Sequence, residues 1–412
     1  MDDAVNTFMA EMTRGLCAQE SSLKMLPAYV QTDGELIENK PIIVLDMGGT
    51  NFRVAVVQKN AAGWETLSFS KYKMPGVERE ITADEFFDII AEVVRPVAAQ
   101  SDTIGFCFSY PAQMESSLDG RIMTFSKEVK IRDAQGLLIG ETLKQKLAEK
   151  GLPCQQRVVI ANDTVTTLLS GMAAAAEKDL YDSYIGFILG TGTNTAYIEQ
   201  VNKIQKLRNF SGKNMVINME SGGYDKIPRT CFDLDLHQHF DAPDTQVLEK
   251  MCSGGYFGEL TRFTLLQAAR DGMFSPEFAR GIEALPLLET YETDVLINSF
   301  GKKGALAALC ATQADLDNVY YTIDMLSERA ANVVCANLSA VAFKTGKGRS
   351  PLKPICINMD GTMFYKSALM GDKIRMNLTR YLHSKGVYFS FSNVADSPII
   401  GAAIAGMLGG AQ

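Results

Sequence analysis

Apolar residues alternate with small and polar residues on both sides of a glycine pair near the start of the chain. The segment IVLDMGGTNFRVAVV, residues 43–57, therefore predicts two β-strands joined by a tight turn at residues 47–51. The segment SYIGFILGTGTNTAYIEQ, residues 183–200, shows the same strand–turn–strand pattern around residues 190–194. Each hairpin is followed by βα material of similar length. We interpret this as an internal duplication into two related α/β halves.

The remaining pattern predicts further strands and helices. Strands are expected in ETLSFSKYKMP, TIGFCFSYP, RVVIAND and PICINMDGT. Helices are expected over residues 1–20, in TADEFFDIIAEVVRPVAAQ with Thr82 as a candidate N-cap, in QGLLIGETLKQKLAEKG, and in DTVTTLLSGMAAAAEKD from Asp163. The later part is mostly helical and includes the long segment DLDNVYYTIDMLSERAANVVCANLSAVAF.

Composition narrows the class of protein. The 412 residues suffice for two domains or one large one, and 46% hydrophobic with 21% charged residues is ordinary for a globular protein. The net charge is −8 and no cluster of five or more Lys and Arg occurs, which argues against nucleic-acid binding. The eight cysteines form no Cys-x-x-Cys pair, so we expect reduced thiols and neither disulfides nor a zinc site.

The two ends of the chain favour a soluble, cytoplasmic protein that does not bind a membrane. The segment MDDAVNTFMAEMTRGL is acidic and amphipathic and lacks the basic and apolar regions of a secretory signal. The C-terminal run SPIIGAAIAGMLGGAQ is apolar, but a membrane-spanning helix takes about 20 residues, so we expect a buried helix. His237 and His239 form a His-x-His pair without a metal-ligand pattern nearby, and we expect it at the surface.

The two Gly-rich turns have the composition of phosphate-binding loops. Glycines beside Thr and Asn let backbone N–H groups converge, with hydroxyl donors next to them. Two such turns on facing halves would hold the two ends of a polyphosphate. Asp46 would then bind Mg²⁺ through water, and Arg53 would either neutralise phosphate charge or anchor the loop. A single turn of this kind is more often purely structural, and the pair is what favours a phosphate site.

Competing phosphate-binding motifs do not fit. The Gly-x-x-x-x-Gly-Lys-[Ser/Thr] motif is absent, and LGTGTN lacks the third glycine of a dinucleotide-binding fingerprint.

Nearly the whole chain, from about Leu26 to the C-terminal helix, resembles hexokinases. The resemblance rests on LDMGGTNFRVAVV, FSYP, SKEVKI, IANDT, LGTGTNTAYIE, INMESGGY, LEKMCSGGYFGEL and INMDGTMF, in this order. It implies an α/β fold of two ribonuclease H-like lobes, the actin-like ATPase fold, around a central cleft. We expect residues 41–160 and 400–412 in the small lobe, and residues 1–40 and 161–399 in the large lobe.

The resemblance also implies phosphoryl transfer from ATP, with Mg²⁺, to the 6-hydroxyl of a hexose such as glucose, mannose or fructose. Asp163 follows a strand and begins a helix, where an Asp is usually an N-cap, but the matching hexokinase residue is the catalytic base. Lys127 is also expected in catalysis. The residues expected to bind the sugar are Ser109, Pro111, Ser126, Lys127, Asn162, Asp163, Asn194, Glu220 and Glu249. Those expected at the nucleotide are Asp46, Gly48, Gly49, Thr50, Asn51, Arg53, Gly190, Thr191, Gly192 and Gly361.

Three positions depart from the hexokinase pattern. Residues 396–401 read DSPIIG where a Gly-Ser-Gly run is usual, which leaves the adenine pocket and the donor open. Tyr110 stands where Phe is usual, and Ser126 where Thr is usual. The helix with Ser327 and Arg329 is expected to border the adenosine.

Other functions on this scaffold stay open at this point. A non-catalytic sugar-sensing regulator would need a DNA-reading domain, and a chaperone-type ATPase would need a peptide-binding domain. An acetate-kinase-like enzyme, whose acceptor is a carboxylate, would be expected to have cationic residues at positions 220 and 249, where this chain has Glu220 and Glu249. The expected partners are a hexose and ATP, and a homodimer is one open oligomeric state. Sugar binding is expected to close the two lobes.

Overall fold

The structure, a computed structural model, describes residues 1–125, 129–173, 180–207, 210 and 212–409. The strands are β1 Leu26–Pro27, β2 Ile42–Met47, β3 Asn51–Asn60, β4 Gly63–Lys73, β5 Ile81–Thr82, β6 Thr103–Phe108, β7 Ala112–Met114, β8 Gly120–Ile122, β9 Ile131–Arg132, β10 Arg157–Ala161, β11 Ser183–Leu189, β12 Thr193–Gln200, β13 Asn214–Asn218, β14 Ile355–Asp360 and β15 Phe389–Ser392.

The helices alternate with the strands in the first half and dominate the second. They are α1 Asp2–Leu16, α2 Ala83–Val94, α3 Ile139–Glu149, α4 Asp163–Ala173, α5 Cys231–Gln238, α6 Val247–Cys252, α7 Phe257–Arg270, α8 Pro276–Ala284, α9 Thr290–Asn298, α10 Ala305–Leu309, α11 Gln313–Thr345, α12 Thr362–Lys366, α13 Met370–Ser384 and α14 Ser397–Leu408.

A five-stranded sheet carries the first Gly-rich turn. Its order is β4-β3-β2-β6-β10, in which β2, β3 and β4 are antiparallel and β2, β6 and β10 are parallel. Every residue of β2 and β6 is buried, because these central strands are covered on both faces. Met47 pairs with Phe52, so the turn at residues 48–51 projects from the end of β2.

A six-stranded sheet repeats this arrangement around the second turn. Its order is β1-β13-β12-β11-β14-β15, in which β11, β12 and β13 are antiparallel and β11, β14 and β15 are parallel. Apart from the extra edge strand β1, the strand order and directions are those of the first sheet. This topology confirms the predicted duplication into two related α/β halves.

Helices α4 and α14 pack against each other between the two sheets. α14 lies on β6 and β2, whereas α4 lies on β11 and β14. A β-carbon on Gly105 or on Gly401 would lie 2.0 Å from a backbone carbonyl oxygen of the facing helix, so glycine permits both close contacts. Nδ2 of Asn358 in β14 donates to the carbonyl of Thr167 (2.7 Å) and to Oγ of Ser397 (3.3 Å), which joins the helices. The lobe boundaries stay a prediction.

Helix ends follow the sequence signals. Thr82 caps α2, as predicted, because its hydroxyl accepts a 3.2 Å hydrogen bond from the N–H of Glu85. Thr312 and Asp315 form a reciprocal capping box at the start of α11, and Gly346 ends that helix at φ +69°. The predicted C-terminal helix is present as α14 and is largely buried. No helix within the described ranges has both the length and the apolar character needed to cross a bilayer.

The expectation of a surface His-x-His pair is wrong for one of its two members. His239 is exposed, but His237 is only 1% exposed, because it lies on the inner face of α5, which packs against α7. Burial is the main cause that lowers the pKa of His237, and the cations Lys250 and Arg229 act in the same direction.

Candidate active site

The first turn borders a cleft of about 390 Å³ that brings together residues from both sheets. The N–H of Gly48 donates to the carbonyl of Asn51 (3.1 Å) and closes the turn. The cleft is lined by Asp46, Gly48, Gly49, Thr50, Asn51, Arg53, Lys71, Ser109, Asp163, Thr167, Ile188, Asp360, Gly361 and Pro398. Of these, Lys71, Thr167, Ile188, Asp360 and Pro398 were not predicted from the sequence.

Arg53 anchors the first turn through two carboxylates. Its Nε lies 2.5 Å from Oδ2 of the buried Asp46, and its Nη1 lies 3.6 Å from Oδ1 of Asp396, the residue before α14. Burial raises the pKa of Asp46, and the charge of Arg53 opposes that shift. Of the two roles considered for Arg53, this geometry favours the anchoring of the loop.

Asp46 and Asp360 have the donor chemistry that suits Mg²⁺. Both carboxylates line the cleft, and the charge of Asp360 contributes to raising the pKa of Asp46. Within the described ranges, no three His, Cys, Asp or Glu side chains converge closely enough to hold a metal directly. The two carboxylates present fit Mg²⁺, an ion that usually keeps several waters and binds proteins through one or two carboxylates.

The second turn is held by glycines of two other segments. The N–H of Gly254 donates to the carbonyl of Gly190 (2.8 Å), and the N–H of Gly255 donates to that of Thr191 (2.9 Å). Gly361, at φ +112°, lies so close to Leu189 that a β-carbon would be 2.3 Å from its carbonyl carbon and oxygen. Glycine at position 361 is thus required by both conformation and space.

Asp163 stands at the N-terminus of α4 and lines the cleft. Oδ1 of the preceding residue, Asn162, accepts the N–H of Thr164 (2.9 Å), as an N-cap does, and Oδ1 of Asp163 also accepts from Thr164 (2.7 Å). Burial raises the pKa of Asp163 to about 6; the hydrogen bonds from Thr164 oppose this shift, and the charges of Glu220 and Asp46 add to it. Asn162 thus shares the N-cap role with Asp163. Both hydrogen bonds from Thr164 to Asp163 end on Oδ1, so Oδ2 of Asp163 accepts neither of them.

Asn194, Glu220 and Asn218 form one hydrogen-bonded group beside the second turn. Nδ2 of Asn194 donates to Oδ1 of Asn218 (2.7 Å), and Nδ2 of Asn218 donates to Oε1 of Glu220 (2.8 Å). Glu220 has φ +55°, an uncommon left-handed conformation for a residue with a side chain. Asn218 was not predicted from the sequence, although it lies two residues before Glu220 in the motif INMESGGY.

Glu249 is linked to the second turn through the backbone. Its Oε2 accepts a 2.8 Å hydrogen bond from the N–H of Thr193. Burial raises the pKa of Glu249 to about 7, and the charges of Glu220 and Asp163 contribute to that shift. Asp163 and Glu249 thus both have a raised pKa, and the nearby charge of Glu220 contributes to each shift, an arrangement typical of functional sites.

Not every predicted residue lines the cleft. The described residues that were predicted but are not among its lining residues include Asn162, Gly190, Thr191, Gly192, Asn194, Glu220 and Glu249. Ser126 and Lys127 lie outside the described residues. Pro111 is exposed and does not line the cleft, and its carbonyl accepts a hydrogen bond from Met123. Arg329 is paired with Asp233 of α5 through two hydrogen bonds (2.8 and 2.7 Å) and does not line the cleft either.

Two hexokinase family models match consecutive parts of the chain, residues 1–173 and 184–408. The chain belongs to the hexokinase family. It is 29% identical to rat hexokinase-3 over 381 residues, and 31% identical to hexokinase-1 of Schizosaccharomyces pombe over 279 residues. These matches cover 88% and 64% of the chain but only 40% and 57% of the relatives, so the chain spans about half the length of the curated hexokinases it matches.

Solved hexokinase structures confirm the predicted fold class. A hexokinase from Schistosoma mansoni complexed with glucose is similar with a TM-score of 0.79 and 26% identity, over 98% of this chain and 94% of that one. A second hexokinase crystal structure has the same TM-score at 23% identity and supports the fold alone. The two ribonuclease H-like lobes around a cleft are thus those of hexokinases.

Proposed function

We propose that this protein phosphorylates the 6-hydroxyl of a hexose with ATP, with Asp163 as the general base. The observation that carries the proposal is the position of Asp163, which lines the same cleft as the first Gly-rich turn. The family assignment supports the reaction class, and the glucose bound by the Schistosoma mansoni enzyme supports a hexose as acceptor.

The acid–base chemistry of Asp163 suits an alcohol acceptor. In the reaction, the hexose oxygen forms a bond to the γ-phosphorus, the bond from that phosphorus to the β–γ bridging oxygen breaks, and ADP leaves. The hydroxyl proton passes to Asp163, whose pKa of about 6 leaves it ionised at neutral pH yet basic enough to take a proton. Because the transition state is loose, most of the rate enhancement comes from positioning and charge stabilisation.

Residues of both halves would bind the substrates. The first turn presents backbone N–H groups and the Thr50 hydroxyl towards a phosphate, with Lys71 as a cation at the same cleft. Asn194, Glu220 and Glu249 would grip the sugar hydroxyls, because amide and carboxylate groups hydrogen-bond paired O–H groups directionally. Asp46 and Asp360 would hold Mg²⁺ through water, and the ion would neutralise phosphate charge when bound.

We further propose that sugar binding closes the lobes. The two turns project from different sheets. Both turns would therefore bind the nucleotide at the same time only when the two sheets approach each other. Closure that depends on the sugar would exclude water, which otherwise competes as a nucleophile for ATP.

The proposal is tested with a donor-by-acceptor matrix. ATP, GTP and pyrophosphate are each offered with glucose, mannose, fructose and acetate, with Mg²⁺ present and with Mg²⁺ chelated. Formation of ADP that depends on ATP, hexose and Mg²⁺ supports the proposal. Turnover with acetate alone, or sugar binding without turnover for every donor, would contradict it.

A further inference from the structure

Tyr110 connects the end of β6 to the first Gly-rich turn. Its hydroxyl donates a 2.8 Å hydrogen bond to the carbonyl of Gly48. Its ring is buried, with centroids 5.4 Å from Phe108 and 5.0 Å from Phe125. A phenylalanine at position 110 would keep the ring packing and lose the hydroxyl that bonds to Gly48.

This bond fixes the direction of one peptide unit. In a trans peptide the C=O and the N–H point in opposite directions, so a Gly48 carbonyl held by Tyr110 turns the N–H of Gly49 to the other side. Both glycines line the cleft, and a β-carbon on Gly49 would find no atom within 4 Å. Among the backbone hydrogen bonds between described residues, the N–H of Gly48 donates to Asn51, whereas none has Gly49 as donor.

We propose that Tyr110 is a positioning residue that aims the N–H of Gly49 at a phosphate oxygen of the nucleotide. Among the described side chains, Tyr110 is the one that donates to the Gly48 carbonyl, and two glycines allow the peptide to rotate once that bond is lost. The inference rests on the proposed function, since it assumes a nucleotide at this turn.

Tyr110→Phe removes the hydroxyl and keeps the ring. We expect the KM for ATP, and the dissociation constant of a non-hydrolysable ATP analogue measured by calorimetry with glucose present, to rise about three- to tenfold. The KM for the hexose and the melting temperature should stay near those of the parent. Tyr381→Phe is the matched control, because its hydroxyl makes a 2.6 Å hydrogen bond to Asp2 outside the cleft.

The outcomes separate the inference from the function on which it rests. An ATP affinity within about twofold of the parent overturns the inference, and so does an equal weakening of both substrates together with a lower melting temperature, which marks a structural role. If the parent protein phosphorylates no hexose with ATP, the proposed function fails, whatever the variant does.

Discussion

A β-carbon on Gly192 would lie 2.5 Å from Oε2 of Glu249, the oxygen that accepts the hydrogen bond from the N–H of Thr193. In the second turn, Gly192 therefore leaves space for the carboxylate of Glu249, and the N–H of Thr193 binds it. Gly192 was predicted as a nucleotide residue, and its closest contact instead connects the turn to a residue expected at the sugar.

Gly192→Ala should weaken hexose binding. The added methyl group must displace the carboxylate of Glu249 from its present position beside the N–H of Thr193, so we expect a loss of about tenfold in hexose affinity, measured by calorimetry. Gly49→Ala is the matched control, because its methyl would enter open space. Retention of hexose affinity within about twofold by Gly192→Ala would contradict a dependence of sugar binding on the present position of Glu249.

Asp163→Asn should stop catalysis while sparing the sugar site. The amide keeps the shape and the hydrogen bond from Thr164 but cannot accept the hydroxyl proton, so kcat should fall about 10²- to 10⁴-fold. Hexose affinity should change only a few-fold. Steady-state kinetics and calorimetry on the same sample measure both quantities, and turnover within about tenfold of the parent means that another group is the base.

The fall of kcat/KM at acid pH should report the protonation of Asp163. A base works only when ionised, so kcat/KM should fall as the pH drops below about 6 and level off above it. Glu220→Gln removes a negative charge that raises the pKa of Asp163, so the fall of kcat/KM should move to lower pH even though the variant binds hexose less well. If kcat/KM of Glu220→Gln falls at the same pH as that of the parent, the titrating group is not Asp163.

Sugar alone should make the protein more compact. The scattering radius of gyration should decrease when glucose is added without nucleotide, since Asn194 lies on β12 of the six-stranded sheet while Ser109 follows β6 of the other sheet. Acetate, which offers no ring of hydroxyls, is the control and should leave the radius unchanged. An equal radius with and without glucose would contradict closure by sugar.

The fold was predictable because its signals are local and repeated. Alternating apolar residues around two Gly-rich turns indicated both hairpins, and Thr82 and the apolar run from Ser397 indicated α2 and α14. These features depend on neighbours in the chain, so the sequence alone carries them. His237 shows the limit, because its burial depends on the packing of α5 against α7.

The site was less predictable because tertiary structure assembles it. Lys71 lies on β4, a mostly exposed strand, and it reaches the cleft because it pairs in register with Arg53. A register shift between Val56 and Val57 separates this part of the hairpin from the rest, which alternation in the sequence does not reveal. Asp360 did have a signal, since it immediately precedes the glycine that was singled out in INMDGTMF.

Arg53 and Lys71 both line the cleft. Substitution of Arg53 should lower the stability of the protein, whereas substitution of Lys71 should weaken ATP binding. Arg53→Ala leaves the buried Asp46 carboxylate without its cation, which typically costs about 3–5 kcal/mol of stability. Lys71 is exposed and is paired with no carboxylate within the described ranges, so Lys71→Ala should leave the melting temperature unchanged and raise the KM for ATP.

The double variant Arg53→Ala with Asp46→Asn separates the two roles of Arg53. If Arg53 mainly compensates Asp46, neutralising that carboxylate should recover part of the lost stability, so the two substitutions are non-additive in denaturant unfolding. Additive losses, or an Arg53→Ala variant that melts like the parent but binds ATP weakly, would make Arg53 the phosphate ligand. A fall in melting temperature for Lys71→Ala would likewise contradict its assignment as the cation that is available for phosphate.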